Sequence, residues 1–320
     1  MAPTAAERPD RVANVLVFST AARTPLILAL GVDTEAINVT VVTKESLAMM
    51  SFSQFNATLT MADVMFVDRF LPQNLSYLEL LVSHVNGTLG SDGLVMFGIL
   101  QNGTVPGEGD FSASQVNAIA PILPVNLTTA YVNSTGNSSA HGFVIQVETA
   151  PSVPENSSII VNCIPWNACP LIDRRLLVTM KPNATLVLTS TIGAETVLAE
   201  WFIGDNDSSV MFFSMEITDH NFLFTSFPYF AYLMYVCTFH AMNNYSDAFI
   251  ESWAEWPYSI GFGGEMPWPL LIVTGALVVV IFWLHSRLRK KDAKTAGGVV
   301  PERVSETKGS AGDTKTKDAG

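Results

Sequence analysis

Residues 14–242 predict an α/β domain layered around a mostly parallel sheet, and a single transmembrane helix is expected to follow at residues 266–285. Short apolar runs rich in Val, Ile and Phe alternate with stretches of helical period, the pattern of strands joined by crossover helices. A hydrophobic content of 48% over 320 residues is enough for one sizeable core. Finally, the run MPWPLLIVTGALVVVIFWLH carries no acidic or basic side chain besides His285. Its length, at about 1.5 Å per residue, just crosses a hydrocarbon layer of about 30 Å.

Each element has its own local reason. Residues 14–20 (NVLVFST) form a β-rich apolar run, the first strand, and 25–32 begin with Pro25 as a helix would. Residues 36–43 (AINVTVVT) read as the second strand, 51–60 as a helix, and 62–68 (ADVMFVD) as the third strand. Pro72 opens a helix over 73–85, with Leu75, Leu78, Leu81 and Val82 on one face. Residues 93–98 (GLVMFG) are an unbroken apolar run of the kind buried on both faces, and Gly87, Gly90 and Gly93 are spaced for turns. The interval 101–160 is loose, rich in Gly and Pro. Strands return at 184–189, 196–202 and 209–215, expected as an antiparallel extension, and an apolar helix covers 227–242. The uncharged stretch 222–242 holds Pro228 and clustered aromatics, which suits a core helix better than a second membrane span. The domain plan is therefore 1–13 an N-terminal extension, 14–242 the α/β domain, 243–265 an aromatic juxtamembrane stalk, 266–285 the membrane helix and 286–320 a disordered basic tail.

Twelve Asn-x-Ser/Thr sequons stand before the apolar span and none after it: Asn38, Asn56, Asn74, Asn86, Asn102, Asn126, Asn133, Asn137, Asn156, Asn183, Asn206 and Asn244. Chance would give roughly three. Glycans are bulky and surface-bound, so the bias predicts a sugar-coated domain on the translocated side. Residues 1–265 hold 8 Lys/Arg against 24 Asp/Glu, whereas 286–320 hold 9 against 5. Arg287, Arg289, Lys290 and Lys291 give the cytoplasmic flank expected of a single-pass protein with its N-terminal domain outside a cell or secretory-pathway membrane. The acidic exterior excludes nucleic acid as a partner. Residues 12–22, behind Arg8 and Arg11, have the outline of a weak export signal, but 14–20 fit a strand better, which leaves the route of export open.

The run VLVFST at 15–20, then MADVMFVDRFLPQNLSYLELLVSHVNGTLGSDGLVMFG at 61–98, with AIAPILPV at 118–125, IPWNACPLI at 164–172 and the strand SVMFFSM, resembles the class I glutamine amidotransferase-like family. Ser76 and Glu79 supply its Ser/Thr-x-x-Glu spacing at a helix start. The resemblance covers about residues 14–242 and implies a flavodoxin-like doubly wound sheet, in a membrane-anchored and catalytically degenerate form. The family's nucleophile elbow would fall at Gly98–Gly103, which holds no Cys, Ser or Thr. The architecture is also similar to a non-catalytic single-span subunit of oligosaccharyltransferase.

Candidate chemistry is sparse. Cys163 and Cys169 flank a tight Pro-bounded loop and are expected to form a structural disulfide, while Cys237 reads as a buried inert thiol. Cys237 and His240 have ligand-like spacing but no acidic neighbour within an apolar stretch, so no metal or cofactor is expected. Thr218–Asn221 reads as a helix N-cap, with His220 beside Asp219 and Glu216 as the one acid–base alternative. Asp68 and Arg69 end the third strand, where open α/β sheets place ligands, although a solvated ion pair would have the same sequence. Asp68, Gly98, Gln101 and His220 are the candidate ligand site. The function expected is a non-catalytic, membrane-anchored glycoprotein, a pseudoenzyme that meets a membrane-protein or cell-surface partner in binding or assembly. The alternatives are an accessory subunit of a glycosyl-transfer complex and a hydrolase acting through His220 with Asp219 or Glu216.

Overall fold

The computed structural model describes residues 12–87, 93–98, 111–132, 146–154, 157–191, 193–203 and 208–242. The chain divides into two units, Met1–Gly263 and Gly264–Gly320, and every described residue lies in the first. In chain order the elements are β1 (Ala13–Ser19), α1 (Pro25–Leu30), β2 (Ile37–Val42), α2 (Lys44–Met49), α3 (Phe52–Thr60), β3 (Val64–Asp68), α4 (Leu75–Val85) and β4 (Gly93–Phe97). There follow α5 (Ala113–Ile119), β5 (Val125–Val132), β6 (Val147–Thr149), α6 (Ser158–Asn162), β7 (Arg175–Met180), β8 (Thr185–Ser190), β9 (Thr196–Ile203), β10 (Ser208–Phe213), α7 (Phe222–Thr225) and α8 (Phe230–Ala241).

Eight strands form one sheet in the order β2-β1-β3-β4-β10-β9-β8-β6. The first five are parallel neighbours, and the rest pair antiparallel. This corrects the doubly wound, flavodoxin-like expectation and the amidotransferase-like resemblance that carried it: the sheet is mixed. The reason is connection length. Only a few residues separate β8 from β9 and β9 from β10, which suffices for a hairpin but not for a parallel crossover of a dozen or more. The expected antiparallel extension is present, and a separate β5–β7 pair lies outside the main sheet.

Alternation in the parallel strands splits the core in two. Val15, Val17, Phe66, Val95, Met211 and Phe213 pack with residues of α1, α6 and α8. Leu16, Phe18, Met65, Val67, Met96 and Phe212 pack with α3, α4 and α5. Both layers follow from strands that are apolar at every position and so must be covered on both faces. In α8 every residue but Ala231 is buried, as the preference for a core helix over 222–242 required.

Local caps account for most helix starts. Ser51 and Ser112 each accept from the backbone three residues on, and Gln54 and Gln115 return the bond, closing capping boxes at α3 and α5. Asn74, not Pro72, opens α4, its side chain accepting from Ser76 N. The interval read as loose contains α5, β5 and β6.

The single-pass membrane reading, with the lipid and cell-surface partners and the localisation built on it, finds no support in the described residues. Among the described residues no helix is long and apolar enough to cross a membrane. The expected span at 266–285, the stalk and the tail lie outside the described residues.

Candidate functional site

Because β1, β3, β4 and β10 are parallel, their C-terminal ends share one edge. The chain leaves β1 toward β2 on one side and returns to β3 on the other, so the crossover direction reverses between β1 and β3. Open α/β sheets bind ligands outside the strand ends at such a reversal. The last residues of these two strands, Ser19 and Asp68, are in register, and both are fully buried. Ser19 Oγ donates to Asp68 Oδ2 at 3.2 Å, and Arg69 Nε donates to Asp68 Oδ1 at 3.2 Å. Arg69 holds a left-handed backbone, φ 59°, which is uncommon for a residue with a Cβ and concentrates at functional sites. Its side chain remains 24% exposed. Asp68 and Arg69 are therefore a half-buried pair, not a solvated one. Asp63, at the other end of the strand, accepts from Asn14 N at 2.8 Å and Asn14 Nδ2 at 3.1 Å, a structural tie.

Across the same edge, Gly98 N donates to Met215 O at 2.8 Å. A Cβ on Gly98 would lie 2.5 Å from Ser214 O, so glycine is required where the two chains touch. Beyond β10, Glu216 is buried against Arg174, with Nε to Oε2 at 3.0 Å. Asn221 fixes the turn that follows. Its Oδ1 accepts from Asp173 N at 2.9 Å and Arg174 N at 3.0 Å, and its Nδ2 donates to Arg174 O at 2.7 Å and Glu216 O at 2.8 Å. This corrects the N-cap reading of Thr218–Asn221: Asn221 makes no side-chain cap bond to α7 and instead joins two loops. Asp219 is exposed on the 3-10 turn that also carries His220. The His220 side chain and Gln101 lie outside the described residues.

A second acid–base group went unnoticed in the sequence. Glu200 on β9 meets His240 Nε2 with Oε1, accepts from Ser209 Oγ at 2.5 Å on Oε1, and accepts from Ser157 Oγ at 2.5 Å on Oε2. All four are buried. Glu200 faces inward because it pairs with Met211 across β9–β10. No short-range pattern joins these positions, which come from β9, β10, α8 and the residue before α6. This pair and the Asp68 cluster also remove the basis for the non-catalytic, pseudoenzyme expectation, which had rested on the empty elbow at Gly98–Gly103.

The three cysteines are buried and free. Cys163 Sγ donates to Ile160 O at 3.0 Å and Cys169 Sγ to Pro170 O at 3.5 Å, so the expected 163–169 bridge is not formed. Burial pushes the Cys169 thiol up to about 12 and raises those of Cys163 and Cys237 well above the usual range. The native protein is thus expected to resist an aromatic disulfide reagent up to pH 10, because the reactive thiolate is not formed. In denaturant all three thiols should titrate; a count of one would restore the bridge. Among the described residues no group of three His, Cys, Asp or Glu side chains could hold a metal.

Of the sequon asparagines, Asn38, Asn56, Asn74, Asn86, Asn126 and Asn183 are exposed. The other six lie outside the described residues.

No family model and no curated protein matches this chain. Among solved structures, one described as the crystal structure of Agd3, a novel carbohydrate deacetylase, aligns with TM-score 0.40 and 10% identity. The alignment covers 70% of this chain and 32% of that one. A likeness of that size assigns neither fold nor activity.

Proposed function

We propose that the domain is a hydrolase of acyl esters or amides, acting at the C-terminal edge of β1 and β3. The observation that carries this reading is the Ser19–Asp68–Arg69 cluster at the point where the strand order reverses. Each Asp68 oxygen accepts one bond and keeps a further lone-pair direction; the carboxylate is fully buried, so water and substrate reach it only when the strand edge opens. Asp68 takes the proton of that water as its oxygen attacks the carbonyl carbon. The carbonyl electron pair moves onto oxygen, where the Arg69 guanidinium stabilises it. Collapse then re-forms the carbonyl and expels the alkoxide or amine, which receives the proton from Asp68. Ser19 positions the carboxylate, and the turn locked by Asn221 holds Asp219 and His220 at the same edge.

The test is a panel of acetyl and longer acyl esters, N-acyl amides and aryl glycosides with the purified chain. Asp68→Asn preserves shape but not basicity and is expected to lower kcat about 10²–10⁴-fold in a chain that still folds, with a melting temperature reduced by the loss of the Arg69 pair. Wild-type turnover in that variant would remove Asp68 from the mechanism, and turnover confined to glycosides would remove the acyl reading. A second reading is favoured by the Glu200–His240 contact with two serine hydroxyls beside it. It is weaker because both hydroxyls donate to Glu200 rather than to the imidazole. Loss of activity in His240→Gln, with Asp68→Asn active, would move the site there.

A further inference from the structure

Between α2 and the start of α4 lies a cleft of about 300 Å³, lined by Lys44, Leu47, Met50, Phe70, Gln73 and Tyr77, with Ala48 and Asn74 completing it. Tyr77 Oη donates to Met50 O at 3.1 Å and so ties its two walls together. Phe70 is buried and Leu47, Met50 and Tyr77 are half-buried, whereas Lys44, Ala48, Gln73 and Asn74 are exposed. The cleft therefore has an apolar, partly aromatic floor and a polar mouth. Such a surface suits a sugar ring, which offers an apolar face to aromatic side chains and hydroxyl groups to donors and acceptors. Exposed apolar side chains flank it. Leu75 follows Asn74, and the ring of Phe52, 48% exposed, meets that of Tyr77 edge-on with centroids 5.5 Å apart.

Asn74 is the point of attachment such a sugar would need. It begins the sequon Asn74-Leu75-Ser76, and its Oδ1 accepts from Ser76 N at 3.0 Å to cap α4. An Asn-linked glycan is joined through the side-chain nitrogen and leaves that oxygen as a carbonyl, so attachment and capping are compatible. Among the described residues Asn74 Nδ2 donates to no protein group. Asn38 also borders a hollow, but its Nδ2 donates to Asn14 Oδ1 at 3.2 Å, so a sugar there competes with a tie between β1 and β2. Asn56 on α3 and Asn126 on β5 are exposed sequon asparagines that do not line the cleft.

We propose that the cleft is the seat of the first sugars of a glycan carried by Asn74. Attachment decides the occupant. An open cleft holds a free sugar weakly, but a tether of one side chain raises its effective concentration to roughly the millimolar range. Lys44 and Gln73 supply hydrogen-bond donors for sugar oxygens, and Gln73 an acceptor for hydroxyl groups. Seated there, the glycan covers Leu75 and Phe52 and braces α2 against α4.

The test uses the full chain made in an N-glycosylating host. Glycopeptide mapping is expected to find Asn74 occupied, and a bare Asn74 overturns the proposal. A glycosidase that cuts within the glycan core should release the Asn74 glycan of the native protein about tenfold more slowly than those of other occupied sequons such as Asn56 and Asn126, as a seat filled about nine-tenths of the time dictates. Equal rates overturn it. Ala48→Trp, on the exposed side of α2, fills the cleft and should restore the ordinary rate. Protection that survives in this variant means that the glycan is sheltered elsewhere, and overturns the cleft as its seat. Asn74→Asp removes the glycan but keeps the cap, since Asp and Asn serve alike there. Amide exchange in α2 should then quicken at little cost in melting temperature, and exchange that stays the same overturns the bracing of α2. The seat does not depend on acyl-hydrolase activity, so failure of either reading leaves the other standing.

Discussion

Gly93→Ala is expected to destabilise the domain by about 3 kcal/mol or more, the upper end of what overpacking costs, because its obstacle is backbone. A Cβ at Gly93 would lie 2.3 Å from Ala241 O and 2.6 Å from both Ala241 C and Cβ. Neither partner can yield cheaply. Gly93 starts the central strand β4, hydrogen-bonded on both sides, and Ala241 ends the buried helix α8. Insertion must push the helix off the sheet, and α8 fills one of the two core layers. Chemical denaturation measures the loss, with Gly31→Ala as control. Gly31 has φ −81° and its nearest contact would be Ile27 O at 3.3 Å, so that change should cost no more than about 1 kcal/mol. Equal midpoints for the two variants would show that strand and helix are not held this close.

The same glycine shows what the sequence does and does not disclose. Gly93 reads locally as a turn residue, yet its necessity comes from Ala241, far along the chain. Strands β1 to β4 and helices α3, α4 and α8 were legible because each carries its own apolar period or cap. Sheet order was not, since pairing depends on connection lengths that include the unassigned interval 101–160. Asp68 was legible as a site candidate from one rule, an acid at a strand end. Its partner Ser19 belongs to another strand, and only register brings them together. Glu200 and His240 could not be paired from sequence: Glu200 sits in an alternating strand as an exposed residue would, and His240 in an apolar helix without a visible acid. The Asn221 turn was misread because Asp-His-Asn before an apolar run has the composition of a cap, while its actual partners, Arg174 and Glu216, are set by tertiary packing.

Arg174 and Glu216 carry the second large expectation. The two side chains are 1% and 2% exposed and meet at 3.0 Å, and the main chain on either side is clamped by Asn221. Removing one partner takes from a buried charge the counter-charge at 3.0 Å, at a cost of up to about 3–5 kcal/mol, whereas a well-packed apolar replacement of both can be neutral or stabilising. Glu216→Met alone and Arg174→Met alone should therefore each lower the denaturation midpoint sharply, and the double variant should recover much of the loss. The cycle separates the pair from its neighbours: additive single losses would mean that Arg174 and Glu216 act through other contacts. Function supplies an independent reading. If Asn221 alone holds the turn bearing Asp219 and His220, the double variant regains activity along with stability. If the ion pair also sets the turn, stability returns while kcat stays low, and the strand-edge site must be understood as reaching from Asp68 across β4 to the loop after β10.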